Sequence, residues 1–565
     1  MNILFVTSAA PKNGPFSTDE KRPPLGQGYL MALAREHGHQ IFFIDNYLYP
    51  SNFLENGFLQ KKQIDFLGIY SNTICFEDTL RMIKKAEKLR QSGIWNGKII
   101  VGGPHTTVAV DTIPDYVDYV VQGEGEQALL DILKGQESRR IIKNQPMQEL
   151  DWLPFEPWDI FTALPYDFSS PFSNAYPTFT MNTSRGCPFN CSFCSVDSIW
   201  GRRYVCYSAE RIIEEIQHLI SDYGAQGIYF REDNFTLKKE RVIRFCHLIL
   251  EKKIKIDWAC ESRVDSLRDE ELVKLMSEAG CKGVYLGVES VNERMLKKMN
   301  KNINKEDIVK CIENCRKYSI NTYCSLITGL PGEKYRDYKE TESFIKEVQP
   351  HSYSFNIFVG IPRSDLYDEI EKKEMYEYKD EQQLLYLPGY DVRCAFFYGI
   401  LPNYLNHKFS LLRRSLFDWR LWYLSRGQRK EIKRRKKNEN LQFDKLNEYY
   451  HILDRWLQIR QAGKRLCGFL NVYECRSVAI YGMKELGKRL YDELRDTEIH
   501  VGYYIDTHLF SINIPLPHYY PDDELPDVDA IIVTATYYFP EIREKLQKKY
   551  AGMIFNVAEI LYSAL

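Results

Sequence analysis

Cys187, Cys191 and Cys194 are the residues whose types and spacing most clearly predict chemistry. They lie in the run Ser184-Arg-Gly-Cys-Pro-Phe-Asn-Cys-Ser-Phe-Cys194, which places three thiols in one short loop. Thiolates are the usual protein ligands of iron–sulfur clusters, and a compact loop can bring three of them to three irons of a [4Fe–4S] cube. The fourth iron is then open to a substrate or a cofactor.

A zinc site is the alternative that this loop leaves open. Structural zinc takes a fourth Cys or His ligand, and Cys206 follows the loop closely enough to supply one. Cys311 and Cys315 are one helical turn apart and form a second possible ligand pair, although no third ligand lies near them in sequence. Most other cysteines fall in apolar helix-like or strand-like patterns, which favours ordinary buried thiols.

A regular series of strands and helices over residues 177–375 must position the cysteine loop. The predicted strands are Thr178–Ser184, Gly227–Glu232, Asp257–Arg263, Gly283–Glu289, Asn321–Thr328 and Ser352–Phe358. Five helical stretches separate them, for example Ser208–Tyr223 and Lys305–Tyr318. Six such units predict a barrel or an open partial (β/α)6 barrel, whose chemistry collects at the carboxyl ends of the strands. The loop follows the first strand directly.

Residues 1–140 also alternate strands with helices and predict a doubly wound, Rossmann-like α/β domain. The predicted strands are Asn2–Thr7, Gln40–Ile44, Phe66–Tyr70, Lys98–Val101 and Tyr116–Val121. A ligand of such a sheet is expected at the carboxyl ends of its strands. Residues 141–176 are irregular and rich in Pro and aromatic residues, and they are interpreted as a linker.

The last 190 residues divide into two regions. Residues 376–475 are helical and aromatic, with a basic run, Arg426 to Lys437, that is interpreted as a solvated helix or as a surface for phosphate or anionic lipid. Residues 476–565 predict a second Rossmann-like domain, in which Gly482 and Gly487 flank the first turn and Asp506 ends the next strand. The GxxxxG spacing differs from the GxGxxG of dinucleotide sites, so the sequence leaves nucleotide binding open.

Composition limits the class of protein and its surroundings. A chain of 565 residues is too long for one core, and its net charge of −2 gives no case for nucleic-acid binding. The N-terminus lacks the basic head and long apolar run of a signal peptide, and no apolar stretch is long enough to span a membrane. Fourteen cysteines in such a chain argue against a disulfide framework. A cytoplasmic protein without a membrane span is expected.

The pattern CxxxCxΦC, with Phe193 before the last cysteine and the loop at the end of a first barrel strand, resembles the signature of radical S-adenosylmethionine (SAM) enzymes. The resemblance covers the whole second α/β series. It implies that the open iron binds the amino and carboxylate groups of SAM. Reduction by a partner such as flavodoxin or ferredoxin then cleaves SAM to methionine and a 5′-deoxyadenosyl radical, which abstracts a substrate hydrogen.

The resemblance also implies a SAM-binding set at successive strand ends, although the usual GGE motif is absent. Its members are Phe193, Glu232, Asp233, Ser262, Arg263, Glu289, Ser290 and Gly329. Each has a structural alternative. For Glu289 and Arg263 the alternative is an ion pair inside the barrel, and for Gly329-Leu-Pro-Gly332 it is a plain turn.

The N-terminal domain resembles that of cobalamin-binding radical SAM proteins. Three segments carry the resemblance: Pro23-Pro-Leu-Gly26, Val101-Gly-Gly-Pro-His105 and Gln122-Gly-Glu-Gly-Glu126. The implied cobalamin contacts are Ser71, Asn72, Thr73, Gly102, Gly103, Pro104, His105, Gly123 and Glu124. No DxHxxG motif is present, so the resemblance implies no cobalt-ligating histidine, and a turn-lining role is the favoured interpretation of His105.

Together these resemblances imply a cobalamin-dependent enzyme that methylates an unactivated carbon of a small molecule, with a [4Fe–4S] cluster, SAM and cobalamin as cofactors. Two alternatives stay open: a radical rearrangement or cyclisation without methyl transfer, and a non-catalytic sensor of cobalamin or SAM. The C-terminal domain resembles modules fused to enzymes of sugar and surface-polymer metabolism, which favours a sugar, a nucleotide-linked compound or a secondary metabolite as substrate. The sequence assigns no catalytic side chain.

Overall fold

Three parallel β-sheets with helices packed on them make up the described part of the chain. The computed structural model describes residues 1–9, 21–48, 51–380, 382–390, 393–394, 449, 452–453, 455–461, 463–507 and 515–563. The aromatic and basic stretch between residues 395 and 448, including Arg426 to Lys437, lies outside the described residues. None of the described helices is both long and apolar enough to cross a membrane.

The N-terminal sheet has six parallel strands in the order β2-β1-β3-β4-β5-β6. They are β1 (Asn2–Thr7), β2 (Gln40–Asp45), β3 (Phe66–Tyr70), β4 (Lys98–Gly102), β5 (Tyr119–Gln122) and β6 (Ile141–Lys143). The helices are α1 (Leu25–Glu36), α2 (Phe58–Lys61), α3 (Phe76–Gln91), α4 (Pro104–Val108) and α5 (Glu126–Leu133). The strand order reverses between β1 and β3, which is where an open α/β sheet forms its ligand crevice. The doubly wound fold is confirmed.

The segment expected to be a linker, residues 141–176, contributes to the folded core. It supplies β6, the sixth strand of the sheet, and a short helix, α6 (Trp158–Phe161). Trp158 and Phe161 are fully buried, and Phe161 packs against the backbone of α1 at Gly28, where an added Cβ would lie 2.9 Å from its ring. The density of Pro and aromatic residues therefore reflects packing between two domains rather than a free connection.

The second sheet has six parallel strands in sequential order and forms a partial barrel. Its strands are β7 (Thr178–Met181), β10 (Gly227–Phe230), β11 (Asp257–Arg263), β12 (Cys281–Glu289), β13 (Asn321–Thr328) and β14 (Ser352–Ile357). A short antiparallel ribbon, β8 (Ser184–Arg185) with β9 (Val205–Cys206), follows β7. No pairing between β7 and β14 closes the barrel within the described residues.

Helices cover the outer face of this barrel and complete the predicted (β/α)6 pattern. The helices that follow β9 are α8 (Ala209–Tyr223), α9 (Lys239–Glu251), α10 (Glu270–Glu278), α11 (Glu293–Lys298), α12 (Lys305–Lys317), α13 (Tyr335–Val348) and α14 (Asp365–Lys372). A short helix between β8 and β9, α7 (Val196–Trp200), packs on α4 of the N-terminal domain instead. Strand residues facing the helices are apolar: Trp258 and Cys260 of β11 are buried beside Phe245 of α9. The alternate residues of the same strands face the barrel interior.

The C-terminal sheet has five parallel strands in the order β19-β18-β17-β20-β21. They are β17 (Ser477–Tyr481), β18 (His500–Ile505), β19 (His518–Tyr519), β20 (Ala530–Val533) and β21 (Met553–Asn556), with helices α15 (Cys467–Val472), α16 (Glu485–Leu494), α17 (Phe539–Leu546) and α18 (Val557–Ser563). A two-stranded ribbon, β15 (Tyr378–Lys379) with β16 (Leu385–Tyr386), precedes this domain. The domain packs on the N-terminal one, where Lys61 Nζ lies 4.2 Å from the Tyr473 ring. Its strand order is that of a Rossmann domain.

Candidate cofactor sites

The cysteine loop leaves the barrel through a turn that only glycine accommodates. Gly186 has φ +84°, and a Cβ there would lie 2.4 Å from the Arg203 carbonyl oxygen. The Gly186 N–H donates to Asp233 at 3.1 Å. At the far side, Ser192 donates through its N–H and Oγ to the carbonyls of Met299 and Lys298. The loop is thus held at both ends against the carboxyl edge of the barrel.

The three thiols of the loop are close enough to act on one another electrostatically. Burial raises the pKa of Cys194 to about 12 and also raises that of Cys187, and the neighbouring thiols raise both further. The N–H groups of Phe189 and Val196 donate to the sulfurs of Cys187 and Cys194 and oppose the rise in pKa. Iron would offset the repulsion between thiolates, and N–H donors to sulfur are part of how proteins tune iron–sulfur clusters. The donor set fits a [4Fe–4S] cluster.

The alternative cysteine sites have other surroundings. Cys206 lies in β9 opposite Ser184 and faces Arg241 and Tyr204. Cys311 and Cys315 are buried and hydrogen-bond each other in the core. Among the described residues, no three His, Cys, Asp or Glu side chains are gathered around a point where one metal ion would sit.

Arg263, at the end of β11, faces the cysteine loop. Its guanidinium lies 3.9 Å from the Cys191 sulfur and 3.7 Å from the centre of the Phe189 ring. A bidentate pair with Asp265, at 3.0 and 3.1 Å, fixes its orientation. The alternative ion pair between Arg263 and Glu289 does not form, because Glu289 pairs instead with Lys301 at 3.1 Å.

The other predicted SAM residues divide into those that face the loop and those used by the fold. Asp233 faces it, and burial raises the Asp233 pKa to about 6. Glu232 is fully buried and is held by Arg241 at 3.1 Å and by the Thr183 N–H at 2.5 Å. Its side chain therefore anchors β7 to β10, and the prediction that it contacts SAM is not supported by this geometry.

Ser262, Ser290 and Gly329 also have local partners. Ser262 Oγ hydrogen-bonds Thr236 at 2.5 Å, and Ser290 Oγ accepts from the Asn292 N–H at 3.1 Å. The Gly329 N–H donates to Glu333 at 2.5 Å, as expected for a structural turn. Phe193 lies beside the Glu289–Lys301 pair, with Lys301 Nζ 6.0 Å from its ring centre.

An apolar cavity of about 270 Å³ opens at the carboxyl edge of the N-terminal sheet. It extends between the sheet and helices α1 and α5, and Gly68 of β3 leaves room for it beside Phe5. Of the predicted cobalamin contacts, the residues that line the cavity are Gly102, Gly103, Pro104, Gly123 and Glu124. Gly103 has φ +118°, and a Cβ there would lie 2.5 Å from the Ser71 carbonyl oxygen.

Four predicted cobalamin contacts are turned into the domain instead. Ser71 is fully buried, and its backbone N–H and carbonyl form hydrogen bonds with Gly102 and His105 at the start of α4. Asn72 accepts from the Cys75 N–H at 2.8 Å, and Thr73 bonds His105 at 3.2 Å. His105 stacks on Phe76 at 3.8 Å and uses its second nitrogen on Thr112 at 3.0 Å. Burial lowers the pKa of His105 to about 4. Both ring nitrogens are engaged, which supports the turn-lining interpretation.

Three residues that line the cavity each carry a buried acceptor with no hydrogen-bond partner among the described residues. The acceptors are Gln27 Oε1, Glu126 Oε2 and Asn182 Oδ1. Buried polar atoms are normally paired, so unpaired ones mark a place where a ligand is expected. The periphery of cobalamin carries primary amides whose N–H groups are donors. An apolar cavity with acceptors at its edge and glycine backbone at its mouth fits that cofactor.

The two cofactor sites are adjacent in the fold. Helix α7 begins two residues after Cys194 and packs against α4, which follows Gly103. Its last residues, Ile199 and Trp200, line the cavity. The sequence indicated each site separately, whereas the contribution of α7 and of Asn182 to the cavity depends on how the domains pack.

A layer of polar side chains inside the barrel was also missed from the sequence. Glu261 lies two residues before Arg263 on the same strand and therefore faces the same side. It accepts from Tyr229 Oη at 3.1 Å, and burial raises its pKa to about 7. Tyr285 of β12 lies next to Glu261 in the register of the sheet, and its ring stacks on the Tyr323 ring with 4.7 Å between the centres. The strict alternation of these strands is the signal that would have indicated this layer.

Fold and sites together define a radical SAM enzyme with a cobalamin-binding domain. The Radical SAM superfamily description matches residues 181–345, and the B12 binding domain description matches residues 17–133. An uncharacterized methyltransferase, PH0819, of Pyrococcus horikoshii is 32% identical over 393 residues, which cover 65% of this chain and 83% of that protein. The anaerobic magnesium-protoporphyrin IX monomethyl ester cyclase of Rubrivivax gelatinosus is 24% identical over 394 residues, or 63% of this chain and 68% of that one.

Solved structures share the fold of these two domains. The cobalamin-dependent SAM radical enzyme OxsB, with aqua-cobalamin and SAM bound, superposes with a TM-score of 0.57 at 16% identity over 68% of this chain and 64% of its own. The radical SAM methyltransferase TsrM of Kitasatospora setae, with cobalamin and a [4Fe–4S] cluster, gives 0.53 at 15% identity over 67% and 76%. The chain belongs to the cobalamin-dependent radical SAM methyltransferase family, and its cofactors are a [4Fe–4S] cluster, SAM and cobalamin.

Proposed function

We propose that this enzyme transfers a methyl group to an unactivated carbon of a small polar molecule held at the mouth of the barrel. The observation that carries the proposal is the contact between α7 and α4, which joins the cysteine loop directly to the cobalamin cavity. A substrate between the two sites can reach both. Holding reacting groups in such a fixed arrangement is the main contribution that a protein makes to cofactor chemistry.

When bound, the cluster with SAM supplies hydrogen abstraction and cobalamin supplies the methyl group. In this proposal Cys187, Cys191 and Cys194 hold the cluster. Asp233 binds the amino group of SAM and Arg263 its carboxylate, because these two side chains face the cysteine loop with opposite charges. Gly102, Gly103 and Gly123 let the corrin approach the backbone of the N-terminal domain.

The interior polar layer supports a substrate rich in hydroxyl or amino groups. Glu261 offers a buried carboxyl next to Tyr229 and Arg231, and Tyr285 and Tyr323 offer a flat aromatic face. Asn356 donates to Ser325 at 2.9 Å on the neighbouring strands. A sugar or a nucleotide-linked compound has the matching groups, and these remain the proposed substrate classes.

The surroundings of the enzyme follow from its cofactors. A low-potential donor such as flavodoxin or ferredoxin is the proposed reductant. None of the fourteen cysteines, all of which lie in the described part of the chain, forms a disulfide, which supports the proposed location in the reducing cytoplasm.

Anaerobic turnover with SAM that carries a CD₃ group tests the proposal. The cluster-loaded, cobalamin-loaded protein is incubated with titanium(III) citrate and UDP-sugars or a metabolite extract, and products are analysed by mass spectrometry. Formation of 5′-deoxyadenosine together with a product that retains CD₃ is expected. Glu261→Gln should still form 5′-deoxyadenosine but lower CD₃ transfer about 100-fold, since it changes a substrate contact, whereas Cys194→Ala should abolish both.

Other outcomes identify the alternatives. A modified product without CD₃, formed together with 5′-deoxyadenosine, would assign a rearrangement or cyclisation. Protein that holds its cluster and cobalamin but never cleaves SAM would be a sensor rather than an enzyme.

A further inference from the structure

We propose that Glu126 and Arg185 couple the cobalamin cavity to the cysteine loop, so that cobalamin and the cluster each strengthen binding of the other. The proposal rests on the cofactors of the proposed function and not on its reaction. Glu126 begins α5 in the N-terminal domain, and Arg185 ends β8 two residues before Cys187. Their contact crosses the boundary between the two domains.

Arg185 is held by the N-terminal domain although it belongs to the barrel. Its guanidinium contacts Glu126 at 2.5 Å and Glu124 at 3.2 Å, and only 9% of its side chain is exposed. The rings of Tyr29 and Trp200 lie 5.8 and 5.5 Å from its central carbon. Since Gly186 follows in a restricted conformation, the position of Arg185 sets where the cysteine loop begins.

The two carboxylates that hold Arg185 differ in how completely they are paired. Glu124 uses one oxygen on Arg185 and the other on the Met147 N–H at 2.6 Å and Arg203 at 3.0 Å. Glu126 is hydrogen-bonded through Oε1, and its Oε2 is buried without a hydrogen-bond partner among the described residues, in a side chain that lines the cavity. Both oxygens of Glu124 are therefore hydrogen-bonded within the protein, whereas the second oxygen of Glu126 is satisfied only when a donor enters the cavity.

The unpaired oxygen of Glu126 is what would couple cobalamin binding to cluster binding. An amide N–H of cobalamin at Oε2 would satisfy the buried carboxylate and hold it in the orientation that keeps Oε1 on Arg185. Without that donor, the buried unpaired oxygen would destabilise this arrangement and favour one in which Glu126 turns away from Arg185. A ligand that favours one of two arrangements also favours any other binding event that needs the same arrangement, here cluster binding at the cysteine loop. Coupling between two ligands is reciprocal, and values of 5–150-fold are typical.

Titration of the full-length protein with hydroxocobalamin tests the coupling without any turnover. Binding is followed by absorbance, anaerobically, in the cluster-free protein and in the protein with a reconstituted cluster. The dissociation constant is expected to be about 10-fold lower with the cluster than without it. Glu126→Gln replaces one carboxylate oxygen with an NH₂ group and removes the charge that holds Arg185, so its ratio of the two dissociation constants is expected to fall to about 1.

Gln27→Ala is the matched control. It removes another unpaired acceptor of the same cavity, but Gln27 donates to the Val6 carbonyl and forms no hydrogen bond with Arg185 in the described part of the chain. Cobalamin affinity should weaken equally in both forms, and the 10-fold ratio should remain. Arg185→Lys, which keeps the charge but loses the bidentate geometry, should lower the ratio and serves if Glu126→Gln does not fold.

Two results overturn the proposal. One is a ratio of the two dissociation constants of about 1 in the wild type. The other is an unchanged 10-fold ratio in a folded Glu126→Gln or Arg185→Lys protein. Either result leaves the methyl-transfer proposal standing, because no product is measured. Conversely, a protein that forms no methylated product can still show the coupling.

Discussion

The N-terminal and C-terminal domains are both parallel sheets with a glycine turn after an early strand, yet their carboxyl edges differ. In the N-terminal domain the edge opens into an apolar cavity with unpaired acceptors. In the C-terminal domain the groups at the turn are used by their neighbours. The Met483 N–H donates to Asp506 at 2.9 Å, and a Cβ on Gly487 would lie 2.1 Å from the Gly482 carbonyl oxygen.

The difference shows that a Rossmann-like sheet does not by itself make a cofactor site. Asp506 occupies the position where an acidic residue would bind a ribose in a dinucleotide domain, but here it accepts from the backbone of the glycine turn. Thr534 Oγ1 also donates to the Gly482 carbonyl. Function depends on which polar groups the fold leaves unsatisfied, and this pair of domains allows that rule to be tested within one chain.

Filling the N-terminal cavity should have the largest effect. Gly68→Leu places a side chain in the cavity, because the Cβ position itself has only ordinary contacts, the nearest being Phe5 Cδ1 at 3.5 Å. Hydroxocobalamin affinity, measured by absorbance titration, should fall about 100-fold or more, since the ligand must displace packed atoms. Gly68→Ala should bind nearly as the wild type does. Gly502→Leu, in the C-terminal sheet, should leave cobalamin binding unchanged; a loss there would show that the two domains are not independent sites.

Replacing His105 should change pH-dependent stability rather than cobalamin binding. Its pKa is about 4 when folded and about 6.5 when unfolded, so the unfolded chain binds the proton more readily. Stability is therefore full above pH 6.5 and falls by about 3 kcal/mol as the pH decreases towards 4. In His105→Asn, the melting temperature should depend less steeply on pH over this range. The absorption spectrum of bound cobalamin should be unchanged; a shift would instead assign His105 as a cobalt ligand.

Asp506 should contribute to the stability of the C-terminal domain and to nothing in the cofactor sites. Asp506→Ala leaves the Met483 N–H without its acceptor, which should cost about 1–3 kcal/mol in the free energy of unfolding. Urea denaturation gives that value, and calorimetric titration with NADH and ATP should show no binding to the wild type. Tight binding of any of these that Asp506→Ala abolishes would place a nucleotide site in this domain.

Local patterns carried most of the fold. Strands such as Asn2–Thr7 and Asn321–Thr328 have the predicted limits, because buried parallel strands are continuous apolar runs bounded by turn residues. Residues 141–176 were interpreted as a linker because their packing partners, α1 and α8, are distant in sequence. The same limit applies to Glu232 and Ser71: a motif position gives their place at a strand end, but their partners, Arg241 and the α4 backbone, come from other elements.

The sequence by itself determined the cysteine loop, the glycines at the strand ends and the order of strands and helices, since each follows from short-range spacing and backbone conformation. Only the tertiary structure decided that α7 packs on α4, that Arg185 enters the N-terminal domain, and that Glu126 keeps an unpaired oxygen. These features depend on which surfaces are buried together. Burial decides which polar groups are satisfied and which remain for a ligand.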